Sequence, residues 1–250
     1  MASERADDSR PWFDAAFERG YLELYPHRDL AAARAEVAGL VARGLGDARG
    51  PVLDLGCGYG RHLFALREHG LRAFGLDRSR ALLRAADARL RPYLTRGDFR
   101  ALPLRDGSFG AVVMMFSSFG YFDDEENART LQEVARVCRA GGWVILDGMN
   151  PARVRIGLVP ESHTRRGQLE LHERRSLSSD GRRVIKEVLA RASDGSERRW
   201  REDVRLYEPA ELAALLERAG LAKARVEGDF DGRAWTADAP RAIVWARRSG

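Results

Sequence analysis

The spacing of apolar residues along the chain changes twice, and the changes divide it into three parts. In the first part, Leu30, Ala33, Val37, Leu40, Val41 and Leu45 recur at helical spacing, and Asp29 stands where an N-cap belongs. From Pro51 onward, short apolar runs alternate with helical stretches. Residues 52–55 read as a buried strand, 61–69 as a helix stopped by Gly70, and 72–76 as a second strand. Ser79 caps a helix running to about residue 90, and 93–96 form a third strand. The unbroken apolar run 111–116 is a strand of the kind covered on both faces. Asp123 and Asp124 open a helix that carries Leu131, Val134, Ala135 and Cys138 and ends at Gly141 and Gly142; residues 143–146 follow as a strand.

Beyond Pro151 the period shifts toward two. Ser179-Asp180-Gly181 and Ser193-Asp194-Gly195 are Asp-Gly turn signals, so three antiparallel strands are expected over 152–206, with Trp200, Val204 and Leu206 on one side of the third. Pro209 starts another helix, stopped by Gly220, and 222–226 and 242–246 are the last strands. The pattern predicts an α/β fold: a doubly wound, mostly parallel seven-stranded sheet closed by an antiparallel hairpin, with a small antiparallel β insertion. The sheet takes residues 46–151 and 207–250, the insertion 152–206, and a helical segment 1–45 precedes both.

Composition narrows the classes. At 250 residues, 44% hydrophobic and 32% charged, the chain suits a soluble globular protein, and it has no run of eighteen apolar residues. Its polar, acidic start is no secretory signal. Cys57 and Cys138 are too few for a disulfide framework or a zinc site, so no metal is expected and a reducing, cytoplasmic setting is. The net charge of +5 is nearly all arginine, with Lys186 and Lys223 the two lysines. Its densest stretches, Arg174-Arg175 and Arg198-Arg199, alternate with glutamates, as solvated strand faces do, which speaks against nucleic acid.

The chemistry concentrates in Val52-Leu53-Asp54-Leu55-Gly56-Cys57-Gly58-Tyr59-Gly60. Glycines there let the chain turn tightly out of the strand and let a ligand touch backbone. Arg61 stands where a dinucleotide fingerprint requires its last glycine, which disfavours a pyrophosphate. Asp77 ends the next strand, placed to accept both hydroxyls of a ribose. Gly97-Asp98-Phe99 ends the third strand, offering an acceptor for an exocyclic amine and a ring to pack adenine.

With these residues the chain resembles the class I, Rossmann-like S-adenosylmethionine-dependent methyltransferase family, over about residues 50–150. The loop, Leu76-Asp77-Arg78-Ser79, Gly97-Asp98-Phe99 and Val134 through Gly142 carry the resemblance, together with the closing hairpin. It implies S-adenosyl-L-methionine as cofactor, held by Asp54, Gly56, Cys57, Gly58, Asp77, Arg78, Asp98, Phe99 and Phe116. Gly56 and Gly58 would lie against the methionine part, Asp77 would hold the ribose, Asp98 and Phe99 the adenine, and the backbone near Phe116 would lie beside the sulfonium. The family often has an acid after Phe109, where this chain has Gly110, and Met114 fills a strand position that is frequently polar; both departures bear on subfamily placement.

Methyl transfer needs a nucleophile in line with an already activated methyl, so orientation and desolvation dominate and no catalytic residue stands out. On the acceptor side the expectation is Trp12, Tyr21 and His27 from residues 1–45, read as a lid, with Ser117, Tyr121 and Asn150 from the sheet's carboxyl edge. The insertion is expected as a substrate cap or a homodimer contact, with Arg153, Arg155 and Trp200 facing substrate. It lacks the aromatic and basic sheet of an RNA reader, which favours O- or N-methylation of a small molecule over a tRNA or protein acceptor. An NAD(P)-dependent oxidoreductase and a non-catalytic cofactor-binding regulator are the readings from other classes.

Overall fold

The computed structural model describes residues 11–17 and 29–250. Among these, α1 (Trp12–Ala16) is a single turn, and α2 (Leu30–Ala42) is capped as expected by Asp29, whose side chain accepts the Ala32 N–H. Then come β1 (Val52–Leu55), α3 (Arg61–Glu68), β2 (Ala73–Asp77), α4 (Arg80–Ala85), β3 (Leu94–Arg96), β4 (Phe109–Met114), α5 (Asp124–Val137) and β5 (Cys138–Met149). After α6 (Pro151–Gly157), four strands follow: β6 (Glu161–Arg166), β7 (Leu169–Leu177), β8 (Arg183–Ala192) and β9 (Glu197–Arg205). The chain ends with α7 (Pro209–Arg218), β10 (Leu221–Glu227) and β11 (Arg241–Arg248).

The main sheet has seven strands in the order β10-β11-β5-β4-β1-β2-β3. Strands β1 to β5 pair in parallel, and β11 enters antiparallel between β5 and β10. Alternate residues supply two cores. Val112, Met114 and Val244 pack with Leu131 and Val134 of α5 and Leu212 and Leu216 of α7. Ala111, Val113, Ile243 and Trp245 pack with Val37 and Leu40 of α2 and Leu63 and Leu66 of α3. Burying both faces leaves the carboxyl edge of the parallel strands as the place where loops and ligands meet.

Three expectations need correction. The insertion has four strands, not three, because β6 pairs antiparallel with β7. β6 is polar throughout, so no apolar alternation announces it, and its turn uses Gly167 at φ +59° rather than an Asp-Gly pair. The helix capped by Ser79 stops at Ala85 and a separate 3₁₀ segment runs Ala88–Tyr93. There Asp87 bonds the Arg89 N–H itself and Pro92 cannot extend a helix. The helix of residues 124–137 ends before its glycines, and β5 begins at Cys138. Gly142 serves close packing instead: a Cβ on it would come within 2.9 Å of the Gly110 carbonyl. Gly110 is equally confined, since a Cβ there would lie 2.6 Å from the Arg49 carbonyl, and no acid fits.

Candidate functional site

The loop after β1 folds back on the acid that ends β2. Oδ2 of Asp77 accepts the Gly58 N–H at 2.8 Å and Oδ1 accepts the Ser79 N–H at 2.7 Å, while burial pushes the Asp77 carboxyl above its usual range. Gly56, Gly58 and Gly60 all have positive φ, which suits glycine. At Gly56 space decides as well: a Cβ would lie 2.9 Å from Ser118 Cβ and 3.1 Å from Phe99 Cζ, inside the cavity the loop borders. That cavity, about 300 Å³, is lined by Gly56, Cys57, Gly58, Asp77, Arg78, Asp98, Phe99 and Phe116 together with Arg61, His62, Phe13 and Phe17.

Eight of the nine predicted cofactor residues thus share one wall. Asp54 does not line it. It lies behind the loop, 1% exposed, and neither oxygen makes a hydrogen bond; the Leu63 N–H adds only a weak attraction. Burial raises its carboxyl to about 6. The Cys57 thiol is pushed well above its ordinary value by burial, which removes it as a nucleophile.

Asp98 is more heavily engaged than the sequence suggested. Its carboxylate accepts from Arg100 through the backbone N–H, Nε and Nη2, all within 2.9 Å, and from Arg78 Nη1 at 2.6 Å. The Arg100 hydrogen bonds lead in lowering it to about 2. An adenine amine would reach this acid only by sharing an oxygen with Arg78 or Arg100. Arg78 also grips Asp14 of α1 through Nε and Nη2, at 2.8 and 3.0 Å, and the Ser79 hydroxyl donates to the Phe17 carbonyl. The N-terminal turn is therefore bound to the rim of the cavity.

A second cavity, about 770 Å³, opens between the carboxyl edge of the sheet and the inner face of the insertion. Ser117, Tyr121, Asn150 and Trp12 line it as predicted, and Phe17, Phe116 and Tyr121 belong to both cavities. The Trp12 ring meets Tyr121 edge-on and Phe17 stacks on it. Asn150 holds its own chain: its amide donates to the Thr236, Ala237 and Ala239 carbonyls and its oxygen caps α6. Arg153 lines the cavity; Arg155 turns away to Glu208, and Trp200 packs beside Leu171 and Ala190. Tyr21 and His27 lie outside the described residues.

Sequence reasoning missed the polar roof of this cavity. Ser162, Arg175, Lys186 and Glu202 face inward, with Glu173 buried behind them accepting from Arg175 at 2.5 Å. The pairing of β6 to β9 brings one of these residues from each strand onto one face, but without the acceptor edge opposite, nothing in the sequence marks that face as functional. Also missed were Arg61 as a wall residue and the Glu36 carboxylate that bonds His62 Nε2 at 2.6 Å. Among the described residues no helix is long and apolar enough to cross a membrane.

A parallel sheet with a glycine turn, strand-end carboxylates and an aromatic-walled cavity at its carboxyl edge defines an enzyme that binds a nucleoside-type cofactor there. The comparisons give the class its name. Residues 52–142 match the model of the methyltransferase domain. The chain is 30% identical over 207 residues to the cypemycin N-terminal methyltransferase of a Streptomyces species, spanning 79% of this chain and 82% of that one. It is 32% identical over 217 residues to the dTDP-3-amino-3,4,6-trideoxy-alpha-D-glucopyranose N,N-dimethyltransferase of Streptomyces venezuelae, covering 82% and 89%. In fold it superposes on the sugar N-methyltransferase KedS8 from Streptoalloteichus sp ATCC 53650 with a TM-score of 0.72 at 22% identity, over 100% of this chain and 98% of that one. The chain belongs to the class I S-adenosylmethionine-dependent methyltransferases, and S-adenosyl-L-methionine is its methyl donor. The glycine turn at Gly56, where a Cβ would meet Ser118 and Phe99 of the cavity wall, and the buried acid at Asp77 fit that molecule.

Proposed function

We propose that the chain transfers the methyl group of S-adenosylmethionine to an oxygen or nitrogen of a polar small molecule held in the second cavity. In this reading Gly56 and Gly58 border the methionine part, Asp77 takes the ribose hydroxyls, and Phe99 packs the adenine, with Asp98 and Arg78 at its edge. Asp54 supports the loop from behind. Of the segment 1–45, α1 is the part read as a lid, while α2 packs into the core; 46–151 and 207–250 form the rest of the cofactor-binding core, and 152–206 the substrate cap.

The observation that carries the reading is the pair of adjoining cavities that share Phe116 and Tyr121, one bordered by the glycine loop and the other roofed by charged side chains. Ser162, Arg175, Lys186 and Glu202 line the second cavity with both signs of charge, Lys186 paired to Glu202 at 2.8 Å and Arg175 to Glu173 at 2.5 Å, which suits a polar molecule better than an apolar one. Two of the relatives, those named above, are N-methyltransferases, which favours an amine as the acceptor group.

Two measurements test this. S-adenosylhomocysteine at a hundredfold excess over its Kd stabilises the native state by about 2.7 kcal/mol, which raises the melting temperature roughly 5–10 °C. NAD is expected to leave it unchanged, and the reverse result would return the oxidoreductase reading. Transfer of labelled methyl from S-adenosylmethionine across a panel of amines, alcohols, quinols and tRNA is then expected to label polar amines or alcohols. Label confined to quinols or tRNA would refute the acceptor class.

A further inference from the structure

Phe116 and Ser117 stand one residue beyond the end of β4 and are the only described residues other than glycine with positive φ, at 57° and 59°. Two successive residues bearing a Cβ hold that conformation only where their surroundings enforce it, and such strain collects at functional sites. Here the enforcing group is Asp147 of β5, 2% exposed. Its Oδ2 accepts the Phe116 N–H at 2.7 Å and its backbone carbonyl accepts the Ser117 N–H at 2.8 Å. A buried carboxylate needs a charged partner, and Arg241 of β11 supplies it. Its Nε donates to Asp147 Oδ1 and its Nη2 to Oδ2 at 2.9 Å, a two-point grip that lysine cannot reproduce. The same guanidinium lies 5.2 Å from the centre of the Phe116 ring, with Arg61 at 4.9 Å.

The location gives this arrangement its meaning. Phe116 lines both cavities, whereas Ser117 and Arg241 line the second. The strained turn is therefore part of the wall between donor and acceptor. We infer that Arg241, acting through Asp147, is a positioning residue for methyl transfer: it holds the Phe116–Ser117 turn in the left-handed conformation that sets the wall where sulfonium and acceptor meet. The inference rests on the reading of the two cavities given above.

Arg241→Lys and Asp147→Asn in the full chain test it in two ways. Amide hydrogen exchange needs no ligand: exchange at residues 116 and 117 is expected to quicken at least tenfold while the amides of β1 and α3 keep their parental rates. Unchanged exchange at the turn, or quickening spread over the whole sheet, would overturn the clamp. Calorimetry links the clamp to the reaction, because S-adenosylmethionine and S-adenosylhomocysteine differ only in the methyl and charge at sulfur. Arg241→Lys is expected to bind the homocysteine within threefold of the parent and S-adenosylmethionine about tenfold more weakly. Adding Ser117→Gly, which adopts the left-handed conformation without strain, is expected to restore part of that loss. Equal weakening of both ligands would make the pair merely structural and end the proposal. A parent that binds neither ligand would bring down the cavity assignment, and the proposal's link to catalysis with it, whatever the exchange rates show. Should Arg241→Lys fail to fold, Asp147→Asn carries both readouts.

Discussion

Asp77 accepts the backbone N–H of Gly58 at 2.8 Å, which joins the acid at the end of β2 to the loop at the end of β1. The group proposed for the ribose thus also shapes the turn proposed for the methionine part. Asp77→Asn keeps one acceptor oxygen but loses the charge and the second acceptor. Hydrogen bonds to charged groups contribute about 1.5–3 kcal/mol, so affinity for S-adenosylhomocysteine is expected to fall roughly tenfold to a hundredfold. Calorimetry on the folded variant measures this directly; parental affinity would remove Asp77 from the site.

Gly56 and Gly195 make a matched pair, with φ of +84° and +82°. Nothing lies within 4 Å of a Cβ built on Gly195, whereas one on Gly56 meets Ser118 and Phe99. Gly195→Ala is expected to cost about 1 kcal/mol of stability through φ alone and leave cofactor affinity untouched. Gly56→Ala adds the clash inside the cavity, and homocysteine binding is expected to drop more than tenfold. Denaturant melts and calorimetry on both variants separate strain from obstruction. Equal cofactor affinity in the two would mean that Gly56 is a turn glycine and nothing more.

The contrast shows what the sequence could carry. The glycine turn, Asp77, Asp98 and Phe99 sit at strand ends, and the alternation of strand and helix is enough to bring strand ends of a parallel sheet to one edge. The second cavity was less legible. Its roof is built from β6, which is polar on both faces, and from residues of β7, β8 and β9 whose charges resemble a solvated surface until the opposite wall is in place. Asp147 and Arg241 are far apart in sequence, and only the pairing of β11 with β5 brings them together. The engagement of Asp98 by Arg100 was readable in principle, because the two are two residues apart, but the choice of rotamer was not.

Arg78 ties α1 to the core by holding Asp14 and Asp98 at once. Both pairs are about one-third exposed, so the Asp14 link contributes at most about 1 kcal/mol. Asp14→Asn is expected to leave the melting temperature within roughly 3 °C of the parent and to speed release of S-adenosylhomocysteine up to fivefold, followed by stopped-flow fluorescence of Trp12 against a Trp12→Phe control. Release at the parental rate would mean that α1 is docked on the core without gating the cofactor.

Asp54 makes a prediction about pH. Burial raises its carboxyl to about 6, against about 3.9 for an unfolded aspartate. Between those values the native state binds more protons than the unfolded chain, so this residue makes stability fall as pH rises from about 4 to about 6, with no further loss above. Two units correspond to roughly 3 kcal/mol at neutral pH. Asp54→Asn removes the charge but leaves an amide short of partners, so a net gain of ~1–2 kcal/mol is expected at pH 7 and none near pH 4. Urea melts of parent and variant from pH 4 to 8 should therefore diverge as pH rises. Carboxyls remote from Asp54 titrate in both proteins and cancel in the difference. Divergence together with weaker homocysteine binding would mean that a charge costly to stability is kept beneath the loop for the cofactor; parallel stability curves would show that the Asp54 carboxyl titrates in the folded chain as it does in the unfolded one.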